Sequence, residues 1–211
     1  MVFRIACVTL VSILMAGAAM AQPSSVSFGL KGGINMARVH NEYSTVDPAP
    51  YFLPMGGITL GTHMNPNIGF DLDLLFVRKG VKEEHDSDPE QAVTVRIRAD
   101  YAVVSPMLRI SPGKSGAGVY FLGGGELGYL IQSELTNTLP DSEQSYDYTD
   151  AWARWDYGIT FGMGFQSAAT GQSSFFLESR YALGLADTSS IEDNEFKVTT
   201  RGVYFLGGLR F

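Results

Sequence analysis

From residue 22 onward the chain alternates apolar and polar residues with period two, and helical spacing hardly appears. The clearest stretch is WARWDYGITFGMGFQ, residues 152–166. Its odd positions run Ala153, Trp155, Tyr157, Ile159, Phe161, Met163, Phe165; its even positions include Arg154, Asp156, Thr160, Gln166 and three glycines. Successive strand side chains point to opposite faces, so this predicts a strand with an apolar wall and a polar reverse side. Val26, Phe28, Leu30, Ile34 and Met36 oppose Lys31 and Asn35 in the same way, and the apolar series Ile68 to Phe76 opposes Asp71 and Asp73. Val93, Val95, Ile97, Ala99, Tyr101 and Val103 oppose Thr94, Arg96, Arg98 and Asp100. Val119, Phe121, Leu127, Tyr129 and Ile131 oppose Glu126, and Phe175, Leu177, Tyr181, Leu183 and Leu185 oppose Glu178 and Arg180. A weaker segment at 53–63 and a closing one at 196–211 bring the number to eight. In the closing segment Val203, Phe205, Leu209 and Phe211 oppose Tyr204, Gly208 and Arg210. Pro106 predicts a bulge in the fourth strand, since sheets tolerate proline mainly at edges and bulges.

The connections alternate in length. Long ones fall near 38–52, 82–91, 133–151 and 187–196, and short ones near 64–66, 111–117 and 167–172. An up-and-down transmembrane barrel predicts this alternation, with tight turns on the periplasmic side and longer loops outside.

Residues 1–21 stand apart from this pattern. Arg4 precedes the uncharged run IACVTLVSILMAGAAMA, and Ala19-Met20-Ala21 has the small-x-small form of a secretory cleavage site. A leader over 1–21 is therefore expected, followed by one barrel domain over 22–211. Cys7, the single cysteine, leaves with the leader, so no disulfide, thiolate nucleophile or cysteine metal ligand is expected in the mature chain. Losing Arg4 takes the net charge from −7 to about −8, which argues against a nucleic-acid partner.

A soluble barrel and a membrane barrel have opposite faces, and the charges distinguish them. Of 22 acidic residues, 16 lie in the long connections; the other six are Asp71, Asp73, Asp100, Glu126, Asp156 and Glu178, all on the polar face. Lys31, Arg96, Arg98, Arg154, Arg180 and Arg210 share that face. Eight strands leave an interior just wide enough for side chains to fill. These twelve residues therefore predict a packed lumen network of ion pairs, with the apolar wall toward lipid. Aromatics would form two girdles, Phe28, Phe70, Phe165, Phe175 and Phe211 near the short turns and Phe76, Tyr129, Trp155 and Tyr157 near the long loops. Arg78 and Arg201 fall on the apolar parity, at the outer end, where an arginine can snorkel.

With FGLKGGINM (28–36), DLDLLFVRKGVK (71–82), FLESRYALGL (176–185) and GLRF (208–211), the mature chain resembles bacterial outer-membrane β-barrel proteins of the PorT-like kind, similar in architecture to OmpA and OmpX. The resemblance implies an all-β, eight-stranded antiparallel barrel in the outer membrane, in contact with its lipids and lipopolysaccharide. It also implies insertion by the outer-membrane assembly machinery, which reads a last strand ending in an aromatic; Phe205, Leu209 and Phe211 would carry that signal.

Catalytic and metal chemistry find little support. His40 near Glu42 and Ser44 lies in a polar loop without a strand-anchored partner, and a nucleophile and base must be held within hydrogen-bond reach. KEEHDSDPE (82–90) offers oxygen ligands but lacks the EF-hand glycine, and Pro89 interrupts it. SYDYTDAW (145–152) could serve recognition of an extracellular ligand or the outer girdle alike. The reading is a non-enzymatic structural or surface-interaction barrel without a cofactor. A low-conductance channel, a lipid-modifying enzyme and a soluble lipocalin-like carrier remain as alternatives.

Overall fold

The computed structural model describes residues 26–40, 51–85, 93–113, 117–139, 142–147, 149, 152–186 and 199–211. The expected leader, His40 with Glu42 and Ser44, and most of the acidic run at 82–90 fall outside the described side chains.

Among the described residues there are nine strands: β1 Val26–His40, β2 Tyr51–His63, β3 Ile68–His85, β4 Val93–Ile110, β5 Gly118–Leu139, β6 Ser142–Asp147, β7 Trp155–Gln166, β8 Ser174–Gly184 and β9 Thr199–Arg210. They pair antiparallel in the order β4-β3-β2-β1-β9-β8-β7-β5-β6, and β4 also pairs β5. That last ladder closes a barrel of eight strands, β1–β5 and β7–β9, which removes every edge inside the membrane. The seam between first and last strands runs from Gly29↔Arg210 to His40↔Thr199. It ends with reciprocal backbone bonds between Phe28 and Phe211, 3.1 and 2.7 Å.

β6 is the extra strand. β7 accompanies β5 only as far as Tyr129↔Trp155, and β6 then pairs with β5 from Glu134↔Asp147 to Leu139↔Ser142. Since β3 and β4 stay paired up to His85↔Val93, one side of the barrel rises past the apolar band as a four-stranded sheet.

The outward wall is apolar, as the alternation requires. Phe28, Phe165, Phe175 and Phe211 are exposed near the short turns, and Phe76, Tyr129, Trp155 and Tyr157 near the long connections. Tyr129 and Trp155 meet edge to face at 5.1 Å.

Two expectations need correction. Pro106 causes no bulge: the β4–β5 register is the same at Val104↔Leu127 and Met107↔Gly124. Proline has no N–H to give, and Ser105 Oγ instead donates to the Gly125 carbonyl at 2.8 Å. The register shifts higher up, where Tyr101 faces Leu130 and Asp100 faces Gln132, leaving exposed Ile131 as the extra residue.

The second correction concerns the faces of β4. Ala99, Tyr101, Val103, Ser105, Met107 and Arg109 are buried in the interior, while Val104, Leu108 and Ile110 are exposed on the wall. A regular strand keeps one parity, and the lower half of β4 needs its apolar even positions against lipid. Thr94, Arg96, Arg98 and Asp100 therefore share the outward parity and do not enter the lumen.

Candidate functional site

The interior is built in layers. Nearest the short turns, Arg210 donates to both oxygens of Asp71 at 3.2 and 2.8 Å. Arg109 Nη1 lies 3.8 Å from Asp71, its Nη2 donates to Gln166 at 2.6 Å, and its guanidinium stacks on the Tyr120 ring at 3.7 Å. The next layer joins four strands. Lys31 Nζ lies 3.0 Å from Asp73 and 3.3 Å from Glu178, Arg180 bridges Asp73 (2.7 Å) and Glu178 (2.5 Å), and Tyr120 donates to Glu178 at 2.8 Å. Above it, Lys79 Nζ contacts Glu126 (3.1 Å) and Asp156 (2.9 Å), while Tyr204 and Thr160 donate to Glu126 at 3.0 Å each.

Apolar side chains fill much of the space between and around these layers. Met55, Leu75, Val77, Ala99, Val103, Leu130, Ala182 and Leu206 pack with the tyrosines Tyr101 and Tyr204. The packed lumen network expected from the sequence is thus interleaved with apolar side chains, here and at Met107, Tyr120 and Leu122 nearer the short turns. A void of about 10 Å³ beside Asn35, Lys79, Glu126 and Asp156 has room for one water, and Asn35 Oδ1 there has no protein partner.

Among the described residues the buried cations are Lys31, Lys79, Arg109, Arg180 and Arg210, and the buried carboxylates are Asp71, Asp73, Glu126, Asp156 and Glu178. Five face five. Burial of unpaired charge is costly, and pairing across strands also braces the barrel. Of the twelve residues expected in the lumen, Lys31, Asp71, Asp73, Glu126, Asp156, Glu178, Arg180 and Arg210 come together there. Arg96, Arg98 and Asp100 lie outside for the reason given above, and Arg154 is exposed just before β7.

The reading of the sequence missed Lys79 and Arg109. Lys79 shares the odd parity of Asp71 and Asp73 along β3. Arg109 becomes inward as soon as Val104, Leu108 and Ile110 set the parity of β4.

The outward face of β3, β4 and β5 carries a second polar group. Arg78 makes a two-pronged bond to Asp100, Nε–Oδ1 2.7 Å and Nη2–Oδ2 2.8 Å, and Arg98 Nη2 donates to Glu134 at 2.7 Å. With Gln132 they line a polar cavity of about 110 Å³. Arg78 also lies 5.9 Å from the Phe76 ring, at the upper margin of the apolar wall. No group of three or more metal-ligating side chains occurs among the described residues.

A family model described as the outer membrane protein beta-barrel domain matches residues 20–190. The chain belongs to that family. It is a protein of the outer membrane. Among solved structures the barrel is similar to Ail, the attachment invasion locus protein of Yersinia pestis, in complex with the heparin analogue sucrose octasulfate. That likeness has 16% identity, covers 89% of this chain and 99% of that one, and has a TM-score of 0.41. It is also similar to OprG from Pseudomonas aeruginosa, with 15% identity, 89% and 97% coverage and a TM-score of 0.44. For Neisserial surface protein A the values are 14%, 90%, 98% and 0.39. A comparison with curated proteins finds no match.

Proposed function

We propose that this outer-membrane barrel is a non-enzymatic surface-interaction protein whose sealed lumen anchors a rigid sheet above the membrane. The observation that carries this reading is the extension of β3, β4, β5 and β6. β5 runs 22 residues and β3 and β4 run 18 each, against 12 for β7 and 11 for β8. Every residue of β6 is exposed, and β6 has a strand neighbour on one side only among the described residues. An unpaired strand edge offers a row of backbone donors and acceptors to another chain. The cross-braced interior favours an anchor over a conduit, because among the described residues five buried cations face five buried carboxylates and the void beside the upper ion pairs has room for one water.

The test has two arms. The purified barrel is expected to pass no stepwise current in planar bilayers. Replacing residues 133–148 by a tight turn is expected to leave a heat-modifiable barrel that loses binding to arrayed extracellular proteins and glycans. Stepwise current in the intact protein would replace this reading by the small-channel one. Identical array profiles for the intact and shortened proteins would remove the surface sheet from the function.

A further inference from the structure

The geometry points to a binding site for one small monovalent anion, a halide such as chloride, at the floor of the lumen beside Arg109 and Arg210. Three observations converge on it. The first is the distribution of charge along the barrel axis. The two layers nearest the short turns hold Lys31, Arg109, Arg180 and Arg210 against Asp71, Asp73 and Glu178. Among the described residues four cations thus meet three carboxylates at this end, and His63 at the rim of β2 supplies no anion. The backbone oxygen of Phe211 accepts from the Phe28 N–H at the seam, 3.1 Å. One negative charge balances the floor.

The second is a set of unmet donors. Asp71 gives its two oxygens to Arg210, at 3.2 and 2.8 Å, and Arg109 Nη1 lies 3.8 Å away, beyond hydrogen-bond reach. Arg109 keeps the bond from Nη2 to Gln166 at 2.6 Å, while its Nε and Nη1 have no hydrogen-bond partner, and neither has Arg210 Nε. Both residues are buried, 2% and 4% exposed. A guanidinium offers five N–H donors, and a buried charged donor left unmet costs the desolvation of the group. Water would supply an acceptor; an anion supplies an acceptor and the missing charge together.

The third is room. Other inward glycines near the floor give their space to a neighbour: a Cβ on Gly61 would strike Asp71, one on Gly164 would strike Tyr120, and one on Gly208 would strike Phe176. Gly69 differs. It stands between His63 and Arg109 across the β2–β3–β4 ladders, is buried, and has no side-chain atom nearer its Cβ position than 3.8 Å. A notch the size of a short side chain suits a monatomic ion and not a phosphate. His63 is exposed and Gln166 half-buried, so the floor is one side chain below the surface at the short-turn end, the periplasmic side in barrels of this kind.

The experiment unfolds the full-length barrel with urea in zwitterionic micelles while chloride replaces methanesulfonate at constant ionic strength, and follows broadening of the chloride NMR line on adding folded protein. The unfolding constant is expected to fall about tenfold for each tenfold rise in chloride above the dissociation constant, and the line to broaden. Gln166→Glu puts a carboxylate where the amide oxygen now accepts from Arg109. It is expected to remove both effects and to be at least as stable as the wild type in methanesulfonate. If that variant gives no heat-modifiable barrel, Gly69→Ala takes its place: it fills the notch, with the Thr62 carbonyl 3.0 Å from the new methyl, and is likewise expected to remove both effects. Equal unfolding in the two salts would leave the donors to water and overturn the proposal. Chloride dependence that persists in the variant would be a general salt effect and would overturn it too. The surface-interaction reading can fail in its array without touching this titration.

Discussion

Lys79 on β3 and Asp156 on β7 meet across the lumen, Nζ to Oδ2 at 2.9 Å, although their strands are not neighbours in the sheet. The pair braces opposite walls, and Glu126 at 3.1 Å completes it. Removing the cation leaves two buried carboxylates, Glu126 and Asp156, facing each other without the ammonium between them. Lys79→Met is therefore expected to cost about 3–5 kcal/mol, the usual result of breaking one side of a buried pair. Denaturant unfolding in detergent micelles measures it. The triple variant Lys79→Met/Glu126→Gln/Asp156→Asn removes the two facing charges and is expected to regain most of that loss. A triple variant no more stable than the single one would mean that packing, not charge, is what Lys79 supplies.

Gly32 and Gly33 are neighbours on β1 with opposite demands. A Cβ on Gly33 would fall 1.9 Å from the Phe205 carbonyl oxygen across the β1–β9 seam, while one on Gly32 meets nothing nearer than 3.9 Å. Gly33→Ala must displace backbone where the barrel closes. It is expected to lower the fraction of fast-running, unboiled protein on a detergent gel, and Gly32→Ala is expected to leave that band unchanged. Equal behaviour of the two variants would place the seam's tolerance elsewhere.

Much of the fold was legible because a membrane barrel must solve one problem at every residue, lipid or lumen, and alternation records the answer. β7 illustrates this: Trp155 to Phe165 face out and Asp156 to Gln166 face in along its whole length. β4 misled because its upper half has two readable faces. Val93 to Val103 are apolar, but Arg96, Arg98 and Asp100 need water, and above the lipid the outward side supplies it. Only Val104, Leu108 and Ile110, deeper in the membrane, settle which face is which. The bulge at Ile131 was illegible for a related reason, since consecutive apolar residues such as Leu130 and Ile131 fit either parity. β6 lay hidden in a polar stretch whose pairing comes from continuation of β5 and not from an apolar face.

Asp147, on β6 outside the membrane-spanning part, lies below the usual aspartate range because Thr149 hydrogen-bonds to its carboxylate, through the side chain first and the backbone N–H (2.9 Å) second. A depressed folded value means that the contribution is present above the unfolded value, near 3.9, and is lost as pH falls through the folded one. Carboxyl chemical shifts in an NMR titration are expected to place the Asp147 midpoint below that of a model aspartate. Thr149→Ala is expected to raise it toward the ordinary value. A midpoint unchanged by the substitution would assign the depression to the backbone N–H of residue 149, which alanine retains, or to Arg154, and not to the threonine side chain.

Phe211 lies on the outward face beyond β9, exposed beside the Phe28 backbone to which it bonds. Two roles for it differ in where they act. As a girdle residue it contributes interfacial burial to the finished barrel, so Phe211→Ala would lower stability in lipid and slow refolding from urea. As part of an assembly signal with Phe205 and Leu209, it acts before the barrel exists, and the same substitution would reduce the protein recovered in the outer membrane while purified material refolds normally. The expected outcome is the second: severalfold less heat-modifiable protein in the outer-membrane fraction of cells, with unfolding midpoints in micelles close to wild type. Exposed side chains contribute little to the β1–β9 seam, whose reciprocal bonds at Phe28 and Phe211 are made by backbone atoms that alanine retains. Normal recovery from cells together with a lowered midpoint would assign Phe211 to the girdle alone.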